Sequence, residues 1–162
     1  MPVTLVGLAA LAADDIRTGL SRCETIQEIL GVDEEADPEA AALALLFIGD
    51  AGEAVAARYG LIMVELRGSE AVAADLVKYS FSGSVEFWIP KPDDADLAEE
   101  DFLASHNLSE AITELWAMHR TGGLNFELTA ASLGQPVRDD EVGAGSGDIG
   151  NVLEFALECY DE

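Results

Sequence analysis

An α+β fold is predicted for this chain by three features: helical apolar spacing near its start, apolar/polar alternation in later segments, and an amphipathic helix between two of those segments. The expected form is a small sandwich, a mainly antiparallel four-stranded sheet with two long helices packed on one face. At 162 residues the chain is about the size of one compact domain, with residues 1–31 helical and residues 61–162 forming the sheet and helix core. Its 49% apolar content is enough to build a core, so its acidity does not signal wholesale disorder.

Thr4 is placed to cap a first helix in which Leu5, Leu8, Ala12, Ile16 and Leu20 recur three and four residues apart. Gly19 weakens that helix near its end. Ser21 followed by Glu24 has capping-box spacing, so a second short helix is expected from Arg22 to Leu30, turning Cys23, Ile26 and Ile29 inward and stopping at Gly31. Val32 to Asp37 reads as an acidic loop. Asp37, Pro38 and Glu39 then open a third helix, expected to continue through Ala40 to Ile48. Leu61 to Leu66, an apolar run bounded by turn signals, reads as a buried strand.

Lys78 to Ile89 is the clearest strand. Tyr79, Phe81, Val85, Phe87 and Ile89 share one face, and Ser80, Ser82, Ser84, Glu86 and Trp88 share the other, with Gly83 expected at a bulge. Pro90 and Pro92 stop it, and Asp93 to Asp101 follows as an acidic connection with a short helical turn around Leu97. Asn107 and Glu110 cap a helix carrying Leu108, Ile112, Leu115 and His119 down one side, which Gly122 and Gly123 end. Leu124, Phe126, Leu128 and Ala130 alternate with polar residues as a half-buried strand. Gln135 to Gly150 is expected to be a loop, and Leu153, Phe155, Leu157 and Cys159 alternate in a last strand.

With helices on one side of such a sheet, the other side is left free, displaying Glu86, Trp88, Glu127, Thr129, Glu154 and Glu158. Of these, Trp88, Glu86, Glu154 and Glu158 are the candidate subunit-interface residues. Large aromatics are enriched at interfaces, so an exposed Trp88 opposite the core would mark a contact, whereas a Trp88 covered by its own chain would not.

The formal net charge is −24, and Lys78 and Lys91 are the only lysines. Eight scattered basic residues make no stripe for nucleic acid, and direct DNA or RNA recognition is not expected. Such acidity fits either adaptation to high salt or a surface past which DNA slides. Val3 to Ala13 has no basic region ahead of it and runs into Asp14 and Asp15, which fits neither a signal peptide nor a spanning helix, so synthesis in the cytosol is expected, with no membrane partner. Cys23 and Cys159 have no partners at metal or redox spacing and read as buried thiols.

No catalytic set emerges. His106 and His119 have no partner by spacing, and His119 near a helix end reads as a structural residue favoured by the helix dipole. The carboxylates from Asp93 to Asp101 lack the glycine and the ligand alternation of an EF-hand, so no metal is assigned. Gly143, Gly145, Gly147 and Gly150 have no following lysine, and Asp148 would repel a phosphate, so no nucleotide or other cofactor is assigned. The chain reads as non-enzymatic.

Ser21 to Gly31, the stretch Ile112 to Met118, the strand Leu124 to Ala130 and Gly147-Asp148-Ile149-Gly150 followed by an alternating strand resemble parts of phage and prophage proteins encoded among tail genes. The order of elements is similar to that of the tail terminator and tail completion, or head-tail joining, proteins of long-tailed phages. The resemblance implies a structural subunit that assembles with itself into a ring, commonly of about six copies, capping the tail tube and meeting the head connector. It further implies a place in the virion after assembly in the host cytoplasm, with DNA only as passing cargo repelled by an acidic lumen. The competing expectation is a monomeric acidic adaptor or inhibitor that mimics nucleic acid toward a basic partner.

Overall fold

The computed structural model describes residues 5–49, 58–89, 108–121, 123–135, 137–138 and 149–161. Helix α1 (Leu5–Ser21) buries Leu8, Ala12, Ile16 and Leu20, the stripe expected from their spacing. Helix α2 (Glu24–Leu30) starts differently from the expectation. Ser21 Oγ donates to Thr18 O at 2.7 Å, so no capping box forms, and Cys23 stands at the N-cap without a side-chain bond to the helix's first N–H groups. The Glu114 carboxylate instead accepts from Thr25 N at 3.1 Å, a cap supplied from a distant helix. Gly31 ends α2 at φ 76°, with Gly31 N donating to Glu28 O and Val32 N to Gln27 O.

Helix α3 (Pro38–Leu45) opens as expected, with Asp37 accepting from Ala40 N at 3.2 Å and Pro38 in the first turn. It stops before Ile48. Arg17 of α1 donates to Leu43 O at 2.6 Å and to Leu46 O at 2.9 Å, taking up carbonyls at the end of the helix. Leu46–Ile48 then becomes strand β1, parallel to Gly60–Ile62. An apolar run of Leu, Phe and Ile suits either helix or strand, and long-range pairing decided for strand.

Strands β2 (Tyr59–Ala73) and β3 (Leu76–Ile89) form a long antiparallel hairpin. β2 therefore runs well past the expected Leu66, and Arg67 to Asp75 stand exposed as an arm, with Val72 46% accessible. Helix α4 (Ser109–Thr121) follows, then β4 (Glu127–Leu133), the short β5 (Val137–Arg138) and β6 (Ile149–Asp161). Among the described residues the sheet order is β1-β2-β3-β6-β4, with β5 also on β6, so two short strands join the four expected, and every pairing but β1 with β2 is antiparallel.

The core lies on one side of this sheet. Ile62, Phe81, Val85, Phe87, Leu128, Leu153, Phe155 and Leu157 meet Leu20, Ile26, Leu115 and the rest of the α1 stripe in one buried cluster. Within β3, Gly83 is no bulge: it sits in register opposite Val64 and Phe155. A Cβ there would run into the Met63 carbonyl oxygen and lie 2.9 Å from Phe155 Cζ, so Gly83 permits a close approach of neighbouring strands.

Two further boundaries moved. β4 begins at Glu127 rather than Leu124, and a register shift between Leu128 and Ala130 leaves Ala130 exposed and turns Ala131 toward the core. β6 begins at Ile149 and β5 occupies Val137–Arg138, so the expected loop from Gln135 to Gly150 contains strand at both places. The expected features at Thr4, Asp93 to Asp101, the turn at Leu97, His106, Asn107, Gly122 and the glycines Gly143 to Gly147 lie outside the described residues.

Candidate interaction face of the sheet

Because side chains alternate along a strand, the residues between the core positions line the face away from the helices. The register sets them in rows. Met63, Ser84, Glu154 and Ser132 are successive neighbours across β2, β3, β6 and β4; Glu65, Ser82, Ala156 and Ala130 form the next row; Ser80, Glu158 and Glu127 the next. On the other side of the Met63 row, Leu61, Glu86 and Val152 align, and then Tyr59 opposite Trp88. All four candidate interface residues, Trp88, Glu86, Glu154 and Glu158, thus lie on this one face, on the adjacent strands β3 and β6.

Trp88 is half-buried rather than exposed, and its side chain is hydrogen-bonded to Glu86, two residues back on the same face of β3. Phe47 and Tyr59 stack edge to face with ring centroids 6.2 Å apart. Burial raises the Glu86 pKa, and the bond from Trp88 offsets part of that rise. The folded state therefore holds this proton to higher pH than the unfolded chain. The destabilisation is complete above the folded pKa and disappears as pH falls below the unfolded one. Glu86→Gln is accordingly expected to be more stable than the wild type at neutral pH, with the difference shrinking toward acid pH in urea titrations run side by side; a difference independent of pH would contradict this.

The middle of the face is a trough of about 640 Å³. Its floor is made of small residues, Ser82, Ser84, Ala130, Ser132 and Ala156, and Met63, Glu65 and Arg67 of β2 stand along one margin. Among the described residues, the cations nearby are already engaged. Arg67 Nη1 is 3.3 Å from Glu65, and Lys78 Nζ is 3.5 Å from Glu70 and 3.9 Å from Glu158.

On the helix side, the titratable groups act as structural parts. Asp15, 5% exposed, accepts from Phe126 N at 2.8 Å and from Asn125 N at 3.1 Å. These bonds hold Asn125 and Phe126 off the β4 ladder. His119 Nδ1 lies 3.0 Å from Phe126 O and 4.0 Å from Asp15, while its Nε2 is buried without a hydrogen-bond partner among the described residues. Among the described residues, no activated nucleophile accompanies this pair. The buried Cys23 thiol is pushed up to about 12, chiefly by burial, and Sγ donates to Gly19 O at 3.3 Å, so it stays protonated. Cys159 is half-buried and forms no disulfide among the described residues.

Asp15 escaped the sequence reading, although a signal was present: it stands three residues after Ala12 and seven after Leu8, on the apolar stripe itself. A carboxylate there must be paired. Among the described residues, no three His, Cys, Asp or Glu side chains group to hold a metal ion, and no helix is long and apolar enough to cross a membrane. Compared with known proteins, the chain matches no protein-family profile and no curated protein sequence.

Proposed function

We propose that this chain is a non-enzymatic structural subunit of a phage tail or head-tail junction, which assembles into a ring that caps the tail tube and meets the head. The observation that carries this reading is the division of the sheet into a face packed on the helices and a face that none of the described helices covers, with the exposed arm Arg67 to Asp75 projecting from the same sheet. A surface of that kind suits assembly, because large open faces and projecting hairpins reach neighbouring molecules. The interior histidine and carboxylate, by contrast, are committed to holding α1, α4 and the start of β4 together.

The net charge opposes self-association at low ionic strength, and salt relieves that opposition. Light scattering behind a sizing column is therefore expected to show a closed oligomer favoured at about 1 M salt over low salt. A strict monomer at both would overturn the ring and favour the monomeric acidic adaptor.

A further inference from the structure

Among the described residues, the open face carries the glutamates Glu65, Glu86, Glu127, Glu154 and Glu158 against the cations Arg67 and Lys78, each already in an ion pair. Glu127 and Glu158 stand directly opposite each other across β4 and β6, an arrangement that destabilises a sheet unless a positive charge lies between or above them. Lys78, 3.9 Å from Glu158 and also held by Glu70, supplies only part of that charge. Among the described residues the face thus carries more carboxylates than cations, and its floor of serine and alanine lets another backbone come close.

A second copy of this chain, itself at a net charge of −24, would bring more carboxylates than cations to the face. Among the described residues, Arg17 and Arg58 are spent on the carbonyls of Leu43, Leu46 and Ile29, Arg22 pairs with Glu39, Arg67 and Lys78 belong to the acidic face itself, and Arg120, exposed on α4, lines a cavity with Glu127. The projecting arm bears Glu70 and Asp75, which the face would repel, and its Arg67 is already paired with Glu65. We infer that the open sheet face docks an extended, arginine- or lysine-bearing segment of a different protein, its aliphatic stems on the small-residue floor and its charged heads at the glutamates. Trp88 and Tyr59, facing each other at one end, offer aromatic rings for a guanidinium. This rests on the assembly reading above only in treating the face as an interface; ring closure between copies would then use other surfaces.

The test uses a synthetic peptide of roughly ten residues, about 33 Å when extended, alternating arginine with threonine, and a counterpart with glutamate for arginine. Calorimetric titration of the full chain at about 0.15 M salt is expected to show binding of the arginine peptide alone. Two variants localise it. Glu154→Gln with Glu158→Gln is expected to weaken binding about tenfold, and Ser82→Trp, which fills the floor without changing charge, to abolish it. Glu34→Gln with Glu35→Gln, an equal charge change on the exposed loop before α3, is expected to leave it intact.

Equal weakening by both glutamine pairs would reduce the effect to bulk charge and overturn the inference, as would binding of both peptides or of neither. If Ser82→Trp broke up an oligomer of the chain while the peptide went unbound, a second copy would be the occupant instead. A chain that binds the peptide yet never forms a ring refutes the ring alone, and a ring that ignores the peptide refutes this inference alone.

Discussion

Asp15→Ala is expected to lower stability by about 3 kcal/mol, seen as a fall of roughly 6–12 °C in melting temperature. The side chain is a buried carboxylate on the apolar stripe of α1, and it accepts the backbone N–H groups of Asn125 and Phe126. Truncation removes the acceptor from both donors, and the Phe126 N–H is buried, so water does not replace it. His119 would lose its nearby negative charge at the same time. Asp15→Asn retains an acceptor and should lose about 1 kcal/mol. Equal losses for the two variants would mean that packing at this position, not the accepted bonds, carries the effect.

Gly83→Ala is expected to be at least as damaging, about 4 kcal/mol or failure to fold. The added methyl would meet the Met63 backbone oxygen rather than the tip of a flexible side chain, so β2 and β3 would have to part. The matched control is Gly68, in the same hairpin, where a Cβ meets nothing within 4 Å. Gly68→Ala should change stability by no more than about 1 kcal/mol, with either sign open to unfolded-state entropy. Chemical denaturation of the pair decides the matter: comparable losses would place the cause in strand flexibility instead of contact with Met63.

Features readable from the sequence were those whose cause is local. The α1 stripe, Asp37 and Pro38 at the start of α3, the stop at Gly31 and the two-faced pattern of β3 each follow from spacing or backbone preference within a few residues. What escaped depended on residues far apart in sequence. Strand β1 exists through pairing with Gly60 to Ile62, α2 is capped by Glu114, and β4 starts late because Asp15 holds Asn125 and Phe126. Parity along β3 and β6 put Trp88, Glu86, Glu154 and Glu158 on a single face, whereas the half-burial of Trp88 and its bond to Glu86 required the folded neighbours.

The position of β6 between β3 and β4 sets the order in which the sheet can be completed. β3 ends at Ile89 and its partner ends at Asp161, so 161 − 89, or 72, further residues must be synthesised before that side of β3 is fully paired. At ordinary translation speed this takes roughly 4–14 s. For that interval the nascent chain exposes a long unpaired edge next to Phe81, Val85 and Phe87, the kind of edge on which polypeptides stick to one another. Ser80, Ser82, Ser84 and Glu86, interleaved with those apolar residues, act as gatekeepers against aggregation until the last strand arrives.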